Sequence, residues 1–291
     1  MRSIPLTARR LAAAMVLLWV AILPGRVEAQ DGANHLYDKF QFGISAADVI
    51  LSSDIQINGS DGRIGTDIDL GTLGISKNAF APAGGIAWRP GRRHQLEMSY
   101  LYISRSGSKV LTEDIDFGDT TFTAGVSTKS RFSAPQLALT YRFAFMAKEK
   151  TQVGFQVGLG ALFFSTSIDA LAGITGGGAD TATVAYSAEK SLTGPTASLG
   201  LYGMFRVGDH WYLQGNAGVL GAKVSNISAT TWVGGFLAQY FFNDHWGASG
   251  GWSINGIKVS SSGDGEGWID LSGSIKYTFQ VLRLGVVYAL P

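Results

Sequence analysis

The stretch TYRFAFMAKEKTQVGFQVGLG, Thr140 to Gly160, decides the fold. Around the charged AKEK (Ala147 to Lys150) every second residue is large and apolar: Tyr141, Phe143 and Phe145 before it, then Val153, Phe155, Val157 and Leu159 after it. Between them stand Thr140, Arg142, Ala144, Gln152, Gly154, Gln156 and Gly158. Successive side chains of a strand point to opposite faces, so this is a hairpin with one greasy face and one polar or small face. The fold follows from which solvent touches each.

The compartment narrows the choice. Arg2, Arg9 and Arg10 precede the apolar run LAAAMVLLWVAIL (Leu11 to Leu23), and Val27-Glu28-Ala29 ends in the small residue that signal peptidase requires. At 1.5 Å per residue, those 13 residues fall short of a hydrocarbon core of ~30 Å. The expectation is a cleaved signal peptide over residues 1–29 and one domain over residues 30–291. The leader carries four of the 23 basic residues and one of the 22 acidic ones, which leaves the mature domain at net charge −2. That balance offers no basic footprint for nucleic acid. The absence of cysteine excludes a disulfide framework, a thiol nucleophile and thiolate metal sites.

No apolar run beyond the leader approaches 18 residues, so no helix is expected to span a membrane. Yet the chain is 46% hydrophobic and holds 39 Gly, 16 Phe, 10 Tyr and 7 Trp, rich in glycine and aromatics for a soluble domain. A closed β-barrel is the other way to satisfy every backbone N–H and C=O inside lipid.

The alternation recurs along the chain. Phe40, Phe42, Ile44 and Ala46 alternate with Gln41, Gly43 and Ser45; Leu96, Met98, Tyr100 and Tyr102 with Gln95, Glu97 and Ser99; Trp211, Leu213, Ala217 and Val219 with Tyr212, Gln214, Asn216 and Gly218. Four short connectors join such strands: PGRRH (90–94), AKEK (147–150), VGDH (207–210) and NDH (243–245). Longer polar segments separate the pairs, near 52–77, 105–131, 169–190 and 260–267, with a short break near 226–230. Short turns at one end and long loops at the other suit an outer-membrane barrel, with the turns in the periplasm and the loops outside. Four turns, with both termini on the turn side, give an all-β, up-and-down antiparallel barrel of about ten strands, with eight and twelve as alternatives. In the last strand Ile275, Tyr277, Phe279 and Val281 share one parity while Leu282, Leu284, Val286 and Tyr288 hold the other. A bulge or a change of environment near Val281 is therefore expected.

A soluble β-sandwich also alternates. Two features favour the barrel: aromatics gather near the turns (Trp88, Phe143, Phe145, Phe205, Trp211, Phe242, Trp246), as an interfacial girdle requires, and the opposite face carries Arg, Glu and Gln. On this reading Phe143, Phe145, Val153 and Phe155 face lipid. The lumen is lined by Arg89, Glu97, Arg142, Gln152, Gln156 and Arg206.

The stretches WRPGRRHQLEMSYLYISRSGS (Trp88 to Ser108) and DIDFGDTTF (Asp114 to Phe122) resemble a hairpin of small proteobacterial outer-membrane β-barrel proteins, OmpA-like and OmpW-like in style. The resemblance implies a location in the bacterial outer membrane. It implies outer-membrane lipid, lipopolysaccharide and the β-barrel assembly machinery as partners, and no cofactor. Such barrels end in an aromatic residue, whereas here Tyr288 is followed by Ala289, Leu290 and Pro291.

Two readings of the lumen charges stand side by side. Arg89, Arg142, Arg206 and Glu97 form a constriction that selects solutes, surplus positive charge favouring anions, or a network that plugs a narrow barrel. Small inward residues (Ala138, Gly154, Gly158, Gly160, Ser198, Gly200, Gly218) leave space above the arginines, for ligand, for water or for Tyr202, Met204 and Tyr212. His35, His94, His210 and His245 all lie near turns or before the first strand, so no base is placed on the loop side and no catalytic residue is assigned. Asp209-His210 and Asp244-His245 read as turn chemistry rather than a metal site. The acidic segments 61–71, 112–119 and 263–267 lack the spacing of a calcium loop. The stretch GITGGGADTATVA (173–185) reads as a surface loop. The functional expectation is a narrow passive pore or structural envelope barrel, with loop-mediated surface adhesion as the alternative and a hydrolase as the least favoured class.

Overall fold

The computed structural model describes residues 34–291 apart from 58–63, 65, 70, 118–119, 175–181, 225–226 and 262–272. The leader of residues 1–29 lies outside the described residues, as do the tips of the 173–185 loop and the acidic segment 263–267. The strands are β1 (Phe40–Ile57), β2 (Asp67–Ile68), β3 (Asn78–Gly91), β4 (His94–Leu101), β5 (Ser104–Val110), β6 (Ile115–Phe117), β7 (Thr120–Phe122), β8 (Ser127–Ser133), β9 (Gln136–Lys148), β10 (Thr151–Ile174), β11 (Ala182–Val207), β12 (Trp211–Val224), β13 (Ile227–Phe241), β14 (Trp246–Ser261) and β15 (Gly273–Leu290).

Antiparallel pairing runs β1-β3-β4-β9-β10-β11-β12-β13-β14-β15, and β15 returns to β1 from Phe40↔Leu290 to Ile57↔Gly273. The sheet is closed on itself. β5 continues β4, and β8 continues β9, because the pairing keeps one register from Leu101↔Gln136 to Ser104↔Ser133 across two short breaks. The barrel therefore has ten staves. Pro135 explains one break, since it offers no N–H to the ladder. A β-bulge lies where β9 meets β10: Val153 pairs with Met146 and Gly154 with Ala144, which leaves Phe145 as the extra residue. The four short connectors all fall at one end, the turn end. The 105–131 segment is more ordered than its composition suggests, holding β5, the small β6-β7 hairpin and β8.

The outward faces divide each long strand into two zones. Along β10 the outward residues Phe155, Val157, Leu159 and Phe163 are exposed apolar side chains. Above them the same face carries Ser165, Ser167 and Asp169. Counted from Val153 to Phe163, the apolar zone has the length of a tilted transmembrane strand of about 9–11 residues. β10 has 24 residues and β11 has 26, so both continue well past the lipid. Just beyond the belt four serines form one cross-strand row, Ser104↔Ser133↔Ser165↔Ser191. Rings mark the turn-end edge of the belt: Trp211 lies 5.0 Å from Tyr240 and Trp246 4.8 Å from Tyr288, centroid to centroid.

Inside, the parity persists but the chemistry changes. In β15 the inward series is Tyr277, Phe279, Val281, Arg283, Val287 and Ala289, and pairing with β1 and β14 is continuous throughout. No bulge is needed near Val281. Below that residue the outward face (Leu282, Leu284, Val286) meets lipid; above it the inward face is the apolar one, because the barrel has risen into water and packs its own core there. That core joins Val49, Leu51, Ile103, Phe132, Leu162, Phe164, Ile168, Tyr277 and Phe279.

One section of the wall is not strand. Above Pro82, β3 parts from the neighbouring stave, and the segment 71–77 fills the gap. Leu73 and Ile75 enter the core. The Arg105 guanidinium donates to the carbonyls of Ser76 (2.8 Å), Lys77 (2.5 Å) and Val49 (2.8 Å), tying β5 to β1 and to this segment. Lys77 also pairs with Asp69 at 3.1 Å. Burial alone would raise the Asp69 carboxyl, but the Gly71 N–H, the Lys77 ammonium and the charge of Lys109 together hold it below its usual range. A methyl at Gly107 would meet the Gly74 carbonyl oxygen at 2.1 Å, so backbone lies on backbone here. Gly107→Val is expected to cost about 1–3 kcal/mol by overpacking, seen as a lower urea midpoint, whereas Gly91→Val, whose Cβ would enter open space, should change little.

Candidate functional site

Three layers fill the barrel. At the turn end, residues preceding β1 fold into its mouth. Leu36 is fully buried among Ala144, Tyr202, Met204, Tyr212, Phe241, Val287 and Ala289, contributed by five staves. The His35 ring stacks on Phe241 with centroids 3.5 Å apart, and its Nδ1 lies 2.9 Å from Asp38 Oδ2. The Tyr37 hydroxyl donates to the Lys148 carbonyl (2.6 Å), Asn34 Nδ2 to that of Glu149 (2.8 Å) and Gln152 Nε2 to that of Leu36 (3.3 Å). The segment is thus held as a plug by packing and by these hydrogen bonds.

Above the plug lies the charged layer. Arg89 donates to Gln152 (3.2 Å) and Gln95 (3.0 Å). Arg142 Nη1 lies 2.5 Å from Glu97 Oε2, its Nε donates to Gln156 (3.5 Å), and its guanidinium sits 5.6 Å from the centre of the Tyr202 ring. Five of the six residues assigned to the lumen from sequence therefore share this interior layer, in two hydrogen-bonded groups, Arg89 with Gln152 and Arg142 with Glu97 and Gln156. Arg206 does not join it: it bonds Gly208 and Asp209 in its own turn, at the rim. Tyr202, Met204 and Tyr212 pack beside the plug rather than into the space above the arginines.

That space is a chamber of about 350 Å³, room for about a dozen waters. Glu97, Arg142, Gln156, Arg283 and the small residues Ala138, Gly158 and Ser198 line it, with Asn216, Thr231 and Ser253. The core described above caps it on the loop side. A lumen polar along its whole length, as the hairpin suggested, is not what the fold has: apolar side chains fill the loop end and pack around the plug at the turn end. Sequence reasoning missed Arg283, the His35–Asp38 plug and the loop-side core. Arg283 shares parity with Val281, so reading the last strand as uninterrupted would have placed it inside. Nothing in the residues 34–39 distinguishes a plug from a tether.

Among the described residues no cluster of His, Asp and Glu has metal-binding geometry. Asp209-His210 and Asp244-His245 sit in separate turns, where Asn243 Oδ1 accepts from the N–H groups of His245 and Trp246.

No known protein family matches the sequence, and no curated protein matches it. Solved structures do. The outer membrane protease OmpT from Escherichia coli superimposes with a TM-score of 0.57 at 13% identity, covering 87% of this chain and 97% of that one. The translocator domain of the autotransporter NalP from Neisseria meningitidis gives 0.44 at 13% identity, over 97% and 95%. The outer membrane protein OprG from Pseudomonas aeruginosa gives 0.33 at 12%, over 90% and 99%. At such identity the likeness speaks for the fold alone. With a closed antiparallel ring of ten staves and a lipid-facing apolar belt, the chain has the fold of the bacterial outer-membrane β-barrels.

Proposed function

We propose that this barrel is a closed structural component of the outer membrane that acts outside the lipid, through the walls and loops of its loop end, and does not conduct solutes. The supporting observation is the double cap: an apolar plug at the turn end and an apolar core at the loop end, with the polar chamber between them. The turn end lies in the periplasm. The outward polar face beyond the belt, beginning at the serine row, stands at the level of lipopolysaccharide, which together with outer-membrane lipid surrounds the barrel once the assembly machinery has inserted it. A catalytic role has less support. The Escherichia coli neighbour is a protease, but all four histidines of this chain, His35, His94, His210 and His245, lie at the turn end, away from the loop-end rim.

Planar-bilayer recording tests the proposal. The refolded barrel is expected to give no discrete conductance steps. Deleting residues 34–38 should lower stability yet leave the membrane silent, because the loop-side core still blocks the lumen. Steps from the intact protein would overturn the closed reading, and steps from the deletion alone would make the plug the only gate.

A further inference from the structure

The chamber's charges do not balance. Arg89, Arg142 and Arg283 face two interior carboxylates, Glu97 and Asp38. Asp38 is engaged by His35 (2.9 Å), Glu97 by Arg142 (2.5 Å), and Arg89 by two glutamines. Arg283 is the group left over. Its Nε is buried without a hydrogen-bond partner, and it enters no salt bridge among the described residues. Its cross-strand neighbours are Ala47 and Gly251, and the next inward residue of its strand is Gly285. None of these can cover a guanidinium or accept from one through a side chain.

A planar guanidinium without an acceptor, inside a low-dielectric wall and open to a polar chamber, is matched by an oxyanion that takes two parallel N–H bonds. Chambers of roughly 300 Å³ upward hold small organic ligands, so the volume admits a small carboxylate or phosphate. Hydroxyl and amide groups on the facing walls, Thr140, Thr196, Ser198, Asn216 and Ser253, supply polar partners for the rest of it. We infer that the chamber is a binding site for one small monovalent oxyanion, a carboxylate or a monobasic phosphate, held by Arg283 with Arg142 beside it. This rests on the capped interior described above, because an open lumen would exchange the anion for bulk salt.

The full barrel is refolded into detergent in a buffer whose only small oxyanion is ¹⁴C-formate or, in a parallel arm at pH 5.5, ³²P-labelled inorganic phosphate, then freed of unbound label by gel filtration. Near one equivalent of one probe per barrel is expected, with retention falling at least tenfold in Arg283→Gln and unchanged in Arg206→Gln. Retention of formate but not phosphate assigns carboxylates, and the reverse assigns phosphates. Arg283→Lys, which keeps the charge and loses the fork, should retain label weakly and serves if the glutamine variant fails to fold, folding being scored by heat-modifiable mobility. No retained label in the folded wild type, or equal retention in the Arg283 variants, overturns the site. A conducting barrel that still retains label through Arg283 would instead overturn only the closed reading.

Discussion

Leu159→Arg should destabilise the barrel by about 2–4 kcal/mol, the cost of a cation on the lipid face near the membrane midplane. Ser167→Arg, eight residues further along the same outward face of β10, should change stability by no more than about 0.5 kcal/mol, as surface substitutions do. The contrast follows from geometry. Leu159 is 59% exposed, yet what it is exposed to is hydrocarbon. Ser167 lies two residues above the serine row, beside Arg131, whose guanidinium already pairs with Asp169 at 3.2 Å. Urea titration of both variants in lipid vesicles measures the difference. A penalty at Ser167 as large as that at Leu159 would mean that the belt extends over the whole of β10 and that the loop half of the barrel is not in water.

The same boundary explains how much could be read without coordinates. The alternation around AKEK carries the fold because lipid demands apolar side chains on one face, and this demand is independent of what lies inside. Tyr141 and Leu213 are exposed while Arg142 and Gln156 are buried, as the pattern requires. In the loop half the demand reverses: Leu162, Phe164 and Ile168 point in, Ser165 and Ser167 point out. Both halves alternate with the same period and the same parity, so β10 reads as apolar on successive residues where the two regimes meet at Leu162-Phe163-Phe164. A single strand does not say on which side of that junction its solvent changes. The plug was illegible for another reason. Its hold depends on Phe241, Tyr212 and Lys148, between 111 and 206 residues away in sequence from the groups they meet, and such contacts leave no local pattern.

Glu97→Gln is expected to cost about 3 kcal/mol, near the lower end of what breaking a buried ion pair costs, because Glu97 borders the chamber and is partly screened there. The damage is not the lost attraction alone. With the carboxylate gone, the charges of Arg142 and Arg283, both on the chamber wall, repel without an anion of the protein's own between them. Arg142→Met should cost a comparable amount, leaving Glu97 with the more distant charges of Arg283 and Arg89. Combining the two removes both buried charges at once, which avoids the uncompensated buried charge that each single change leaves. The double variant Glu97→Gln/Arg142→Met is therefore expected to be more stable than the sum of the single losses predicts by about 2 kcal/mol, the coupling that neighbouring groups in one network show. Urea midpoints of the four proteins in vesicles give the cycle directly. Strict additivity would mean that the two side chains are solvated independently, each by its own water, and the middle layer would then be a water-filled lumen in which the ion pair has no structural role.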